Sequence, residues 1–395
     1  IEGTIDLAVI AVPAAVVPAV LKQCAEKHIP AAVIISAGFK ETGTEGKQLE
    51  EEIIRIAEEA SITLLGPNCL GFLAPHEGLN ASFAKALPEK GSIAFFSQSG
   101  ALLTALLDMS GHQLGYRACI STGNKALLRE NELLRFFAAD EAAKVISFYS
   151  EDLIDAKSLI DTGRAILRRA LPKPIIALKS GKTSAGSSAS SSHTGALAGS
   201  DAAYEALFKQ AGIIRVNGLE ELTAALEVFS KNPLPESNRV AILTNAGGLG
   251  VMATDACVTQ DLELASLTPE TITTLHSFLP AAANSHNPID VLGDARADRY
   301  ERALDTILSD PNVDMLLVII TPQAMTEAAK TAEAIVSARD RVKEKPIIVS
   351  LSGDQALKEA KDFLENHQVA TLRSPEAAAH HFGSLFHVAR LRAEF

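Results

Sequence analysis

The feature that most constrains this chain is a steady alternation of short β-branched apolar runs with longer amphipathic stretches. Parallel strands need a crossover of a dozen or more residues between them, and helices usually supply it. Ile5–Val12, Ala32–Ser36, Ser92–Phe96, Lys144–Tyr149 and Pro174–Leu178 read as buried strands. A second series follows at Arg239–Thr244, Met315–Ile320 and Ile347–Leu351. Leu49, Ile53, Ile56, Ala57 and Ala60 keep helical spacing, with Glu50–Glu52, Glu58 and Glu59 mostly off that apolar stripe. The pattern predicts an α/β fold of parallel sheets covered by helices.

A chain of 395 residues is long enough for about two to three domains. Two composition shifts place the boundaries. Ala86-Leu87-Pro88-Glu89-Lys90-Gly91 has the turn residues and charge of a linker, and Lys231–Asn238 places Pro233 and Pro235 in a polar octet. Three α/β units are therefore expected, at 1–88, 89–232 and 239–395. With 47 % hydrophobic residues, 5 % aromatics and no Trp, their cores must be built from Ala, Val, Ile and Leu. A net charge of −12 argues against nucleic acid or an anionic membrane as partner. An anionic substrate would then need locally placed donors. Cys24, Cys69, Cys119 and Cys257 are too far apart to form a metal-ligand pair, and the expectation is a reduced, cytoplasmic chain with no metal site. Ala8–Leu21 is broken by Pro13 and Pro18 and is too short to span a bilayer. The chain shows no signal peptide, opens on Ile1-Glu2-Gly3 and runs almost directly into a strand, so preceding sequence is expected.

Several segments could carry chemistry. Ser97-Gln98-Ser99-Gly100-Ala101 follows a strand and opens a helical stretch, Leu102–Met109. A helix start presents unpaired N–H groups and the positive end of the macrodipole to an anion, although Ser97 or Ser99 could equally be an ordinary N-cap. Asn245-Ala246-Gly247-Gly248-Leu249-Gly250 repeats the arrangement after Arg239–Thr244. Gly248, Gly250 and Ala253 also fit a dinucleotide fingerprint, but Glu263 is poorly placed as its ribose partner, inside Leu262–Ala265. Ser180-Gly181-Lys182-Thr183 lacks the glycine a P-loop needs at Ile176. Glu151, at a strand's C-terminal end, could hold an imidazole N–H. Gly66-Pro67-Asn68-Cys69-Leu70-Gly71 is a tight turn in which Cys69 could be a reactive or a buried, inert thiol.

The remaining segment, Ser180–Ser200, carries His193. Seven of the thirteen residues from Ser180 to Ser192 are serine, with Gly181 and Gly186 among them, a composition that tends to stay mobile. An imidazole on such an arm suits a covalent carrier that visits two sites. The other histidines are scattered, and the adjacent His380 and His381 point apart on a C-terminal helix.

Taken in order, these pieces resemble the NDP-forming acyl-CoA synthetases, the superfamily of succinyl-CoA synthetase. The resemblance runs through Asp6–Pro13, Ile35–Phe39, Gly66–Gly71, Phe96–Leu102, Ser121-Thr122-Gly123-Asn124-Lys125, Ser192–Ser200, Thr244–Gly248 and Asn287–Asp290. It implies a truncated Rossmann-like CoA-binding domain followed by two flavodoxin-like, doubly wound domains. It also implies a reversible reaction: acyl-CoA, ADP and phosphate in exchange for a carboxylic acid, ATP and CoA. By the same resemblance His193 carries the phosphoryl group, Glu151 stabilises it, and Ser97, Ser99, Gly100, Asn245, Gly247 and Gly248 hold phosphate. Val12, Pro13, Asn68 and Cys69 would then contact CoA. By the resemblance, the Gly-rich CoA loop of the family would lie ahead of Ile1. ADP or ATP with Mg²⁺ would be bound by an ATP-grasp module, fused or on a separate subunit, within an oligomer. Asp152, where relatives usually have glycine, could alter the acyl pocket. An acyl-CoA-sensing module of a protein lysine acetyltransferase is the alternative the same fold allows.

Overall fold

A computed structural model describes residues 3–169, 171–186, 188 and 200–394. The chain divides into two compact units, Ile1–Leu226 and Glu227–Phe395. The first holds two sheets. β1 (Ala8–Ile10), β2 (Ala31–Ile34) and β3 (Thr63–Leu65) form a parallel sheet in that order. β4 (Gly71–Ala74), β5 (Leu79–Ser82), β6 (Lys90–Ser97), β7 (Tyr116–Ser121), β8 (Val145–Ser150), β9 (Ile175–Lys179) and β10 (Ile214–Val216) form the other. Its order is β10-β9-β8-β6-β7-β4-β5, parallel except where β4 meets β7 and β5.

The second unit contains β11 (Arg239–Thr244), β12 (Glu263–Leu264), β13 (Ile289–Asp290), β14 (Met315–Ile320), β15 (Ile347–Leu351) and β16 (Ala370–Leu372). They run β12-β11-β14-β15-β16, with β13 also pairing β11. Renumbering each series from its first strand, β7-β6-β8-β9-β10 and β12-β11-β14-β15-β16 both become 2-1-3-4-5, the flavodoxin-like order. Its switch points fall between β6 and β8 and between β11 and β14, where the chain leaves opposite faces and opens a crevice at the strands' carboxyl ends.

Both faces of these sheets are covered, which is why the central strands read as unbroken apolar runs. All six residues of β14, Met-Leu-Leu-Val-Ile-Ile, are buried. Phe96 and Phe148 stack at 5.4 Å between ring centroids across β6 and β8, and burying such a side chain contributes roughly 1.5–3 kcal/mol.

The strand positions follow the sequence pattern closely, and the link between the first two sheets is built before Pro88. β4 and β5 fall within the range 1–88 yet pair into the seven-stranded sheet through Phe72–Ile120 and Leu73–Cys119. The crossing occurs at the 66–71 turn. There Asn124 N–H donates to Pro67 O at 2.9 Å and Ala126 N–H to Gly66 O at 3.1 Å, joining the two sheets into one unit.

Candidate functional site

The carboxyl edge of the seven-stranded sheet gathers several of the expected residues. Ser97 ends β6, and its buried hydroxyl closes a two-residue hairpin, donating to Ser99 O at 2.7 Å and accepting from Ser99 N–H at 3.2 Å. Ser99 then caps the helix Gly100–Ser110 by accepting from Leu102 N–H at 3.2 Å. Both serines thus build the helix start. Gly100 is required by packing, since a Cβ there would lie 2.9 Å from Leu70 Cβ. The amides of Gly100 and Ala101 sit in the first turn, where no intrahelical acceptor exists.

Across the switch point, Glu151 follows β8. It is 8 % exposed, its N–H donates to Gln98 Oε1 at 2.8 Å, and its carboxylate accepts from Tyr149 Oη at 3.4 Å. Burial first, and then the adjacent Glu151 charge, raise the Tyr149 phenol above its ordinary pKa, so it stays a donor. Ser180, where the His193 segment leaves the sheet, donates its N–H to Ser150 O at 3.3 Å. The segment therefore departs beside Glu151. It rejoins the described chain at Ser200, whose hydroxyl caps the helix Asp201–Ala211. His193 itself lies outside the described residues.

Beneath the Glu151 turn sits Lys125, 1 % exposed. Its ammonium donates to Glu130 Oε1 at 2.8 Å, Asp152 O at 2.8 Å and Ser150 Oγ at 3.4 Å, and pairs with Asp152 Oδ1 at 2.8 Å. Burial alone would lower the Lys125 pKa, but Glu130 and Asp152 outweigh it and raise it. Asp152 is the mirror case. Burial opposes its charge, yet Lys125 and the Gln98 amide hold it below the carboxylate range. The Asp152 side chain, expected to shape an acyl pocket, is thus engaged with Lys125.

At the carboxyl edge of the three-stranded sheet, Ser36 joins two of the CoA candidates. Its hydroxyl donates to Val12 O at 2.5 Å, and its carbonyl accepts from Asn68 N–H at 2.9 Å. Pro13 begins the turn after β1, with Pro13 O accepting from Val16 N–H at 2.8 Å. Cys69 is buried, donates to Ile34 O at 3.3 Å, and has its thiol pushed up to about 12 by burial. A thiol that weakly acidic holds negligible thiolate at neutral pH, so the inert alternative applies. Asn68 Nδ2 reaches Asn124 Oδ1 at 3.3 Å. Asn124 in turn donates to Glu41 Oε2 at 2.6 Å and Glu50 Oε2 at 2.8 Å, and Lys40 bonds both Asn124 O and Glu50.

In the second unit the first helix start is built the same way. Thr244 Oγ1 donates to Ala246 O at 3.1 Å and accepts from Ala246 N–H at 2.9 Å. Asn245 stands where Gln98 stands, but its amide is fully engaged. Its oxygen accepts from Thr321 N–H and Oγ1, both at 3.0 Å, and its nitrogen donates to Thr321 O and Thr326 Oγ1, both at 3.2 Å. An anion could therefore meet only the Asn245 backbone. At Gly247 a Cβ would lie 2.9 Å from Asp290 Oδ2, whereas around Gly248 it would meet nothing within 4 Å. The first contact is with the end of an acidic side chain, and the second glycine is open to close approach. Glu263 opposes Arg239, the first residue of β11, at the end of the sheet opposite Gly247. The dinucleotide fingerprint accordingly lacks its ribose partner.

Lys125, Gln98, Glu41 and Glu50 are the residues that sequence reasoning passed over. Glu50 had a visible signal, because it stands three and seven residues before Ile53 and Ala57, on the buried stripe rather than off it. Among the described residues no group of three His, Cys, Asp or Glu side chains could hold a metal ion, and no helix is long and apolar enough to cross a membrane.

Comparison with known proteins gives these features a family. A CoA binding domain model matches residues 1–75, a succinyl-CoA ligase like flavodoxin domain model matches 90–229, and a Ligase-CoA domain model matches 240–393. The alpha subunit of acetate–CoA ligase [ADP-forming] II from Pyrococcus furiosus is 40 % identical over 383 residues, covering 96 % of this chain and 83 % of that protein. Acetate–CoA ligase [ADP-forming] I from Archaeoglobus fulgidus is 40 % identical over all 395 residues, but these make up 56 % of its length. The corresponding Methanocaldococcus jannaschii ligase is 42 % identical over 95 % of this chain and 53 % of its own. The chain thus spans about half the length of these two relatives. Among solved structures, dinucleotide forming acetyl-coenzyme A synthetase 1 of Ca. Korarchaeum cryptofilum, in complex with phosphate and ADP, superposes with a TM-score of 0.95. It is 36 % identical and is matched over 100 % of this chain and 84 % of its own. With strand order, motif order and full-length similarity in agreement, the chain belongs to the NDP-forming acyl-CoA synthetase superfamily.

Proposed function

We propose that this chain is the acyl- and CoA-handling portion of an ADP-forming acyl-CoA ligase of the acetate–CoA ligase type. Phosphate attacks the thioester carbonyl, releasing CoA and leaving an acyl phosphate. The imidazole of His193 takes the phosphoryl group, freeing the carboxylic acid, and then passes it to ADP to make ATP. Such transfers depend on positioning and charge stabilisation, and the nucleophile must be neutral imidazole, abundant above its ordinary pKa of about 6.5.

The observation that carries this reading is the placement of Glu151. Its buried carboxylate stands at the switch point, beside the strand end from which the His193 segment leaves and across from the Ser99-capped helix start. There it can accept a ring N–H and stabilise a phosphorylated imidazole. The Gly100 and Gly248 helix starts would hold phosphate by backbone N–H groups. The Val12-Pro13 and Asn68 edge would hold CoA, with Cys69 contributing packing only. The matched ranges support a three-part reading: 1–88 for CoA, and 89–232 and 239–395 as two ligase domains. ADP or ATP with Mg²⁺ would bind an ATP-grasp module, fused or separate, in a cytoplasmic oligomer.

The test supplies ATP, Mg²⁺ and the ATP-grasp module and follows an acid-labile, base-stable phosphoryl group. We expect the label at His193, and His193→Ala should abolish label and turnover while leaving CoA binding intact. A label on another residue, or CoA binding without any label, would replace the ligase reading with that of an acyl-CoA-sensing module.

A further inference from the structure

We propose that Lys125 is a positioning residue for Glu151, an inference that rests on the phosphohistidine reading above. The single ammonium of Lys125 ties down the residues on either side of that carboxylate: Ser150 through its hydroxyl at 3.4 Å, and Asp152 through its carbonyl and Oδ1, both at 2.8 Å. Ser150 Oγ also donates to Glu130 Oε1 at 2.8 Å, the oxygen that accepts from Lys125. Gln98 holds the same turn from above through Glu151 N–H at 2.8 Å. The turn is therefore clamped on both sides of Glu151, whose carboxylate also accepts from Tyr149 Oη at 3.4 Å.

Lys125 is 1 % exposed, so its role must be exerted through the turn rather than on substrate. Burying an ammonium is costly unless charged partners surround it, and Glu130 and Asp152 do so. The loop that presents Lys125 also carries Asn124, which touches Asn68 and Glu41. One loop thus links the edge proposed for CoA to the carboxylate proposed for phosphohistidine. A carboxylate that must meet a transient phosphorylated ring needs a fixed direction, and small displacements of such groups can cost about a hundredfold in rate.

The experiment compares wild type, Lys125→Met and Asp152→Asn, each assembled with the ATP-grasp module. It reads kcat, KM for acyl-CoA, label at His193 and hydrogen exchange of the 149–153 amides. We expect Lys125→Met to lower kcat at least tenfold with KM within twofold, and to speed exchange at Glu151 and Asp152 alone. Asp152→Asn should fall in between. A general folding defect would instead raise exchange throughout the unit, in which case Asp152→Asn decides. Unchanged kcat and exchange in the folded variants, with wild type labelled, would overturn this inference and leave the phosphohistidine reading standing. A wild type that takes no label would remove both.

Discussion

Replacing Asn124 with alanine should destabilise the first unit, and the penalty should depend on pH. Asn124 donates to Glu41 at 2.6 Å and to Glu50 at 2.8 Å. Asn124 and Glu50 are 6 % and 5 % exposed, so water cannot easily replace these bonds. Hydrogen bonds to charged groups contribute about 1.5–3 kcal/mol each. Lys40 stays 3.4 Å from Glu50 and offsets part of the loss, giving an expected cost of about 3 kcal/mol at neutral pH. The pH dependence comes from Glu41. Burial favours its neutral form, but the Asn124 amide and the Gly38 and Phe39 N–H groups outweigh burial and hold it below its ordinary pKa. Its stabilising effect is complete above the unfolded value of about 4.3 and is lost as pH falls through the native one. The gap between wild type and Asn124→Ala should therefore narrow as the solution is acidified. Urea unfolding followed by tyrosine emission in a Tyr300→Phe background reads this unit, because the chain has no Trp and its other three tyrosines, Tyr116, Tyr149 and Tyr204, lie within it. A gap below about 1 kcal/mol at pH 7, or one that stays constant through the acid range, would refute the reasoning.

Two further outcomes follow from the geometry. Cys69, with its thiol pushed up to about 12, should resist iodoacetamide at pH 8 in the native chain and react only after denaturation. Carbamidomethylation of Cys69 in native protein, detected by mass spectrometry, would contradict its assigned burial. Asn245→Ala should lower the stability of the second unit by roughly 2 kcal/mol, because it strips four hydrogen bonds from a buried amide and removes the acceptor of the Thr321 N–H. An unchanged unfolding midpoint for that unit would show that the Asn245 pin has no structural role.

Glu50 and Asp152 illustrate what the order of residues left open. Each reads as a polar residue with no assigned partner, and each finds a buried one: Glu50 with Asn124 and Lys40, Asp152 with Lys125. Those partners stand 74, 10 and 27 residues away in the chain. No local pattern connects such positions; the crossovers that bring strand ends to one edge do.

The order of residues by itself determined what depends on neighbours along the chain. Apolar runs bounded by turns located the central strands, and in Arg239–Thr244, Met315–Ile320 and Ile347–Leu351 they did so to the residue. Small residues after β6 and β11 marked helix starts, because capping and close approach are local matters. Tertiary structure alone decided that β4 and β5 join the second sheet, that Cys69 is inert, and that Lys125 lies beneath Glu151. Strand pairing, burial and ion pairing sum over segments far apart in sequence, so their outcome exists only once the chain has closed on itself.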